Sequence, residues 1–441
     1  MTEKEAIEYI ENQSWSKTRL GLDRSRQLMS LLGDPQKKLR FVHVAGSNGK
    51  GSACAMIAGI LADAGYRVGF YSSPYLQSFN ERIKINGNNI SGKDLAFAVE
   101  KVKSAAEQMT DHPSQFELVT AAGFLYFLKE KCDIVVLEVG MGGEFDATNV
   151  IDAPQAAVIM NIGLEHTQYL GNTIEEIART KGGIIKKGCP VVCYDSDKRA
   201  VQEIKSICKR QKASLIIPDF SQIKPEGSDL KTAFLTGKSV SLPAFQHFSY
   251  KGESYDIRLL GGHQLRNAVM AIETAKLLSK KYKKITKEAI ARGLSRVEWP
   301  GRFEILGTDP LFILDGGHNP QCAGAMKDAL CEFSGDSRFI FLLGVLADKN
   351  YDEIIDEIGS LAERFICLTP DSDRAMPADE LAKYLKGRGF AAESAPDIKS
   401  GIDAAYALMS KSENTARGIV AFGSLYLAGV VRTEMQKRRK I

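Results

Sequence analysis

The stretch Phe41-Val42-His43-Val44-Ala45 runs straight into Gly46-Ser47-Asn48-Gly49-Lys50-Gly51-Ser52 and then into a helical run ending at Gly65. No other feature constrains the chain as much. A short apolar run, a glycine loop and a helix form the opening unit of an α/β nucleotide-binding fold. Backbone N–H groups of such a loop point at phosphate oxygens, and the helix behind it adds about half a positive charge at its N-terminus. Lys50 supplies a mobile cation for the terminal phosphates, and Ser52 is placed to reach a metal or a phosphate. The spacing departs from G-x-x-x-x-G-K-[ST]. Val44 stands at the first glycine position, and Gly51 separates Lys50 from Ser52.

The rest of the chain alternates in the same sense. The first forty residues read as helical, with Leu28, Leu31 and Leu32 on one face, closing at Gly33-Asp34-Pro35. Strand patterns fall at 68–73, 133–139, 156–162, 190–194 and 215–218, and helical ones at 92–109, 115–131 and 173–187. A basic helix separates the last two strands, and 74–86 reads as a loop. Such alternation predicts a mostly parallel sheet covered on both faces. Residues 228–260 change texture, and Lys251-Gly252 between short alternating runs suggests antiparallel hairpins on the domain edge. Two helices, near 263–281 and 286–295, lead to Trp299-Pro300-Gly301, where Pro and Gly beside a bulky anchor read as a linker. Strand patterns resume at 311–314, 339–345, 365–369 and 419–422. The expected architecture is α/β. An N-terminal P-loop domain (1–296) has a mostly parallel sheet and a small antiparallel edge sheet, a linker covers 297–300, and a Rossmann-like α/β domain covers 301–441.

Composition excludes several classes. Lys plus Arg minus Asp plus Glu is 58 − 54 = +4, too little over 441 residues for nucleic-acid binding, and only Lys437, Arg438, Arg439 and Lys440 cluster. No apolar run reaches the roughly 20 residues of a membrane span. The first residues are charged and lack an apolar signal core, and eight scattered cysteines read as reduced, mostly buried thiols. The expectation is a cytoplasmic enzyme, a monomer, with neither nucleic acid nor membrane as partner.

Polar residues gather at the carboxyl ends of the expected strands, where parallel sheets present ligands. Glu138, in Leu137-Glu138-Val139-Gly140-Met141-Gly142-Gly143, would hold a divalent cation beside a triphosphate, or merely cap a neighbouring loop. His166 follows the next strand; it could be a ligand or an ordinary hydrogen-bonded loop histidine, and Mg²⁺ prefers oxygen. Lys181 lies in the following helix, where a cation would repel a metal unless its amine were altered. Asp315-Gly316-Gly317-His318-Asn319-Pro320 repeats the strand–turn–helix design, and Arg302 after the linker suits bidentate phosphate binding. Together they suggest a site shared by two domains.

In this combination the chain resembles the folylpolyglutamate synthase/dihydrofolate synthase branch of the Mur ligase superfamily. The resemblance rests on His43-Val-Ala-Gly-Ser-Asn-Gly-Lys-Gly-Ser52, Ser73-Pro74 with Phe79-Asn80-Glu81-Arg82-Ile83, and Glu138 to Gly143. It continues through Asp146-Ala147-Thr148-Asn149, Gly163-Leu164-Glu165-His166-Thr167, Gly262-His263-Gln264 with Asn267, Pro300-Gly301-Arg302, Asp315 to Pro320 and Gly423 to Tyr426. Nine motifs in order span about residues 40–428.

The resemblance implies an ATP-dependent, ADP-forming ligase that adds L-glutamate to a folate or dihydropteroate carboxylate. By matching motif, Gly49, Lys50, Gly51 and Ser52 hold ATP phosphates, and Asn267, Arg302 and Asp315 also contact ATP. Ser73, Glu138, His166 and a carbamylated Lys181 would ligate two Mg²⁺ ions. Lys50, Lys181 and His318 are the implied catalytic residues, and Ser73, Pro74, Arg82 and Asp146 the implied folate contacts. The chain departs at Glu144, often arginine in the family, and at Gly182, commonly alanine. The alternatives are a Mur-type ligase acting on another acid and a non-catalytic ATP-binding protein. Mur-type cell-wall ligases usually carry an extra N-terminal domain, whereas this phosphate loop begins at Gly46.

Overall fold

The computed structural model describes residues 1–13, 21–236, 240–411 and 416–438. Arg439 and Lys440 of the terminal basic cluster lie outside the described residues. The chain forms two compact units, Met1–Ile223 with Arg266–Val297, and Lys224–Leu265 with Glu298–Ile441.

The first unit is built on eight strands, β1 (Phe41–Ala45), β2 (Val68–Tyr71), β3 (Ile83–Ile85), β4 (Asn88–Asn89), β5 (Ile134–Glu138), β6 (Ala156–Ile159), β7 (Val191–Cys193) and β8 (Leu215–Ile216). Their order is β4-β3-β2-β5-β1-β6-β7-β8. All neighbours run parallel except β3 and β4, which turn back as an antiparallel edge. Every residue of β1 is buried; a strand covered on both faces needs no polar alternation. The register Val44↔Glu138 and Ala45↔Ile159 brings the carboxyl ends of β5, β1 and β6 side by side. That edge positions the site.

The helix Lys50–Asp63 follows β1, and its buried faces include Ala53, Cys54, Met56, Ile57, Ile60 and Leu61. It packs backbone to backbone on the helix Lys287–Arg296, because a Cβ on Gly293 would stand 2.5 Å from Ile60 Cα. Asp63, with a 6% exposed side chain, closes this contact by receiving Arg292 at 2.9 Å and Arg296 at 2.7 Å.

The second unit holds a three-stranded sheet, β9 (Ile223–Ser228), β10 (Gln246–Tyr250) and β11 (Glu253–Ile257), in the order β11-β10-β9. Its larger sheet comprises β12 (Glu304–Thr308), β13 (Leu311–Leu314), β14 (Phe339–Leu343), β15 (Ala362–Cys367), β16 (Ala392–Ser394) and β17 (Ile419–Phe422), in the order β12-β13-β17-β14-β15-β16. Only the β12–β13 pair in it is antiparallel.

The expected hairpin is present, β10 pairing β11 around Lys251-Gly252, but it belongs to the second unit rather than to the edge of the first. The reason is the core it joins. Leu230, Ala244 and Leu260 are buried with Phe303, Leu311 and Phe341. Three local differences also emerge. Leu31 is 43% exposed, whereas Leu28 is buried as expected. The segment read as a loop over 74–86 contains a tight turn, Phe79–Arg82, and β3. β12 and β16 sit at the sheet edges, where short half-exposed strands leave no apolar run to read.

Candidate active site

Gly49 caps the helix Lys50–Asp63 at φ +82°, a backbone setting that favours glycine, and a Cβ there would lie 2.7 Å from Asn267 Oδ1. A Cβ on Gly46 would meet Met160 Cβ at 2.5 Å. The loop is therefore pressed between the end of β6 and the helix Gly262–Ser279, and Asn267 is brought to it. Ser47 donates to the Gly163 carbonyl at 2.9 Å and accepts from the Gly163 amide at 3.0 Å, fixing the loop to the segment after β6. The Lys50 ammonium folds back on its own loop, donating to Gly46 O at 2.9 Å and Ser47 O at 3.2 Å. Ser52 is buried in the first turn.

Lys181, in the last turn of the helix Ile174–Gly182, is 1% exposed. Its ammonium donates to the same Gly46 carbonyl at 3.0 Å and to Glu165 Oε1 at 2.6 Å. Two lysines thus converge on one carbonyl oxygen at the mouth of the phosphate loop. Burial pushes the Lys181 amine down; Glu165 partly restores it and Lys50 lowers it further, leaving it at about 8. Burial opposes ionisation of Glu165, but Lys50 and Lys181 outweigh it and hold its carboxyl at about 2.

Glu138, 4% exposed at the end of β5, accepts from the Ser73 amide at 3.3 Å. His166 stands at φ +47°, starts the short helix Thr167–Leu170 and is exposed. Among the described residues no three His, Cys, Asp or Glu side chains converge as a ready metal cage. The fit is instead that of a shared ion. Ser73 and Glu138 offer oxygen donors, and Mg²⁺ commonly takes one or two carboxylates together with water and phosphate oxygens. The His166 imidazole matches that preference poorly.

Asp146 turns inward. Its carboxylate accepts from the Met141 amide at 2.9 Å, the Thr148 amide at 3.0 Å and the Thr148 hydroxyl. Burial raises its affinity for a proton against these bonds. The Thr148 hydroxyl donates to Asp146, so the fully buried His43 must donate to Thr148 through Nε2 at 2.9 Å. Burial pushes His43 down to about 3, keeping it neutral. Asp146 thus shapes the loop after β5. Pro74 is exposed and Arg82 is buried on the loop between β2 and β3.

In the second unit Asp315 follows β13. Its carboxylate accepts from the Phe303 amide at 2.8 Å and the Gly317 amide at 2.6 Å. Burial raises its proton affinity, and the Arg302 guanidinium opposes that. Arg302 Nη1 would lie 3.4 Å from a Cβ on Gly316, so both residues flank one turn. His318 Nδ1 donates to Gly316 O at 3.2 Å, and Asn319 caps the helix Pro320–Ser334 through the Cys322 amide at 2.8 Å. The structure thus gathers Arg302, Asp315 and His318 around one strand end.

These residues fall within two family matches. Residues 44–275 match the Mur ligase middle domain, and residues 301–425 match the Mur ligase glutamate ligase domain. The chain belongs to the Mur ligase family. Within it, 447 aligned residues are 36% identical to the dihydrofolate synthase/folylpolyglutamate synthase of Bacillus subtilis, covering 97% of this chain and 99% of that one. Escherichia coli FolC, solved in complex with DHPP and ADP, superposes with a TM-score of 0.84 at 26% identity, covering 100% of this chain and 99% of that chain. Mycobacterium tuberculosis folylpolyglutamate synthase complexed with ADP gives 0.86 at 28% identity over 98% and 99%.

Glu165, which holds Lys181, was not singled out as a site residue from the motifs. A signal existed, since a buried lysine requires an anion and Glu165 adjoins His166. At Gly182 a Cβ would stand 2.3 Å from Ile207 Cδ1, the tip of a side chain on the helix Lys198–Gln211. Glu144 lies against the end of the helix Ile174–Gly182, its Cα 2.5 Å from where a Cβ on Gly183 would be. Nothing in the structure explains its charge. No helix among the described residues is long and apolar enough to cross a membrane.

Proposed function

We propose that this ATP-dependent ligase couples L-glutamate to the carboxylate of a dihydropteroate or folate, with ADP and phosphate as co-products. One observation carries the reading: Lys50 and Lys181 meet at the Gly46 carbonyl beside a glycine loop capped by a helix N-terminus. Two cations and a set of backbone N–H groups at one strand end call for a polyanion.

The acid oxygen attacks the γ-phosphorus of ATP, the bond to the bridging oxygen breaks, and ADP departs. Lys50 leaves the carbonyls of Gly46 and Ser47 to spread the charge of the transferring phosphoryl group, the main contribution a protein can make to this step. The glutamate amine then attacks the acyl phosphate, loses a proton, and phosphate leaves as the amide forms. Ser73 and Glu138 would hold Mg²⁺ arriving with ATP, which would neutralise phosphate charge. Lys181 at about 8 keeps a fraction of its amine uncharged near neutral pH, the form able to become a carbamate. We assign Gly49, Gly51, Ser52, Asn267, Arg302 and Asp315 to ATP and His318 to catalysis. Eight free cysteines support a reducing, cytoplasmic setting, and we propose a monomer.

The test incubates the purified enzyme with ATP, L-glutamate and either dihydropteroate or tetrahydrofolate, and measures phosphate release. Release that requires both glutamate and one of these acids supports the reading. ATP binding without release would leave a nucleotide-binding protein, and release only with another acid would leave a different Mur-type ligase. The two acids also separate synthesis of the first amide from extension of the glutamate tail.

A further inference from the structure

Seven residues other than glycine hold a positive φ among the described residues, and only Phe303, at +43°, is buried. Glycine takes such a backbone freely, whereas a bulky side chain takes it only where its surroundings over-determine it. They do so here. The Phe303 amide donates to Asp315 Oδ2 at 2.8 Å. Its ring is 2% exposed and meets the Phe333 ring edge-on, with centroids 5.5 Å apart. Phe333 lies in the last turn of the helix Pro320–Ser334.

The residues on either side are pinned as well. The Gly301 carbonyl accepts from the Gly316 amide at 2.9 Å. The Gly301 amide donates to Glu304 Oε2 at 2.9 Å, and both Glu304 oxygens accept from Arg432 Nε at 3.0 Å. Arg432 belongs to the helix Leu425–Arg438. Three elements, the turn after β13 and two helices, thus fix the backbone from Gly301 to Glu304.

Arg302 is the residue this mount carries. It is half-exposed, and its Nη1 lies 3.4 Å from where a Cβ on Gly316 would be. Asp315 spends one oxygen on the Phe303 amide and the other on the Gly317 amide, so what it offers Arg302 is charge rather than a fixed direction. A long, flexible side chain is aimed first by the backbone that bears it. A site group displaced by about 1 Å can lose about 10²-fold in effect.

We propose that Phe303 is a positioning residue for the nucleotide: its left-handed backbone and buried ring hold Arg302 over the Gly316 turn, where the guanidinium meets ATP phosphate. The inference rests on the assignment of Arg302 to ATP. Phe303 acts through Arg302 and contributes no atom of its own to the site.

The experiment measures equilibrium affinity for ATP and for dihydropteroate in the wild type, Phe303→Ala, Phe303→Leu, Arg302→Met and the two double variants. Phe303→Ala is expected to weaken ATP binding by about 10-fold and Phe303→Leu by about 3-fold, with dihydropteroate affinity moved by less than about 2-fold. In the Arg302→Met background both losses should fall below about 2-fold, because nothing is left to aim. A loss that persists undiminished without Arg302, or that dihydropteroate shares equally, marks a general packing role and overturns the inference. If Phe303→Ala does not fold, Phe303→Leu with wild-type ATP affinity overturns it. Arg302→Met with wild-type ATP affinity withdraws Arg302 from the nucleotide, and the inference falls with it. A wild type that shows the coupling but releases no phosphate with any pteroate or folate acid leaves the inference standing while the proposed reaction fails.

Discussion

Two strand ends in this molecule use the same local design, a buried strand, a glycine turn and a helix, for opposite electrostatic ends. After β1, the turn at Gly46 gathers Lys50 and Lys181, which donate to the Gly46 and Ser47 carbonyl oxygens and to Glu165. After β13, the turn at Asp315 gathers one carboxylate held by the Phe303 and Gly317 amides, beside Arg302. The first turn is rich in cations and the second is self-satisfied. At the first turn the Lys50 ammonium rests on carbonyl oxygens, which a polyanion can displace, while Lys181 is held by the Glu165 carboxylate. A turn that must keep its shape spends its carboxylate on backbone N–H groups.

The comparison breaks first at Lys50. If its ammonium serves the phosphoryl group, Lys50→Ala lowers turnover by about 10²–10³-fold or more while the folded protein melts near the wild-type temperature. Near-normal phosphate release by the purified variant would remove the cradle from the mechanism.

Lys181 sharpens the comparison through pH. Its folded value, about 8, lies below its ordinary 10.5, so the unfolded chain binds more protons between those values. Stability contributed by this position therefore rises with pH from about 8 to 10.5, by on the order of 3 kcal/mol. Urea titrations at pH 7.5 and 10 should show this rise in the wild type and not in Lys181→Met. Glu165 has the same sign in a lower window. Its depressed value, about 2 against 4.5, contributes stability that is full above pH 4.5 and lost as the pH falls through 2.

At the second turn, Asp315→Asn removes one of two acceptor oxygens and leaves the Phe303 or Gly317 amide unpaired. The expected cost is about 1–3 kcal/mol in denaturant titration. A variant with wild-type stability would show that the turn does not depend on those bonds. The smallest effect concerns packing beneath Lys181. Gly182→Ala should change stability by less than about 1 kcal/mol, because the Ile207 Cδ1 it meets is a side-chain tip set against the better helix propensity of alanine, and Ile207→Val in the same chain should make the change more favourable. Additive effects in the double variant would deny the contact.

Much of this was legible in the chain because it is local. Phe41 to Ser52 encodes its own strand, loop and helix start, and observed β1 spans the residues read as a strand. The same held for β13 before Asp315 and for the proline-started helix after it. Where the signal depended on partners, reading fell short. β3 was hidden in a loop because three residues paired to β2 have no periodicity of their own. Glu165 stood beside His166 in its motif, but nothing local said that it would face a lysine sixteen residues later. The hairpin near Lys251 was legible as a hairpin, but its unit was decided by the apolar side chains around Leu230 and Leu260.

By itself, then, the sequence determined an alternating fold with glycine turns at the carboxyl ends of apolar strands, because backbone preference and burial pattern act over a few residues. Only the tertiary structure decided that Lys50 and Lys181 share one carbonyl, that Asp146 faces inward, and that Arg82 is buried against the rings of Tyr75 and Phe79. Those outcomes depend on which distant groups arrive to satisfy a charge, and desolvation makes that choice only once the chain has closed around it.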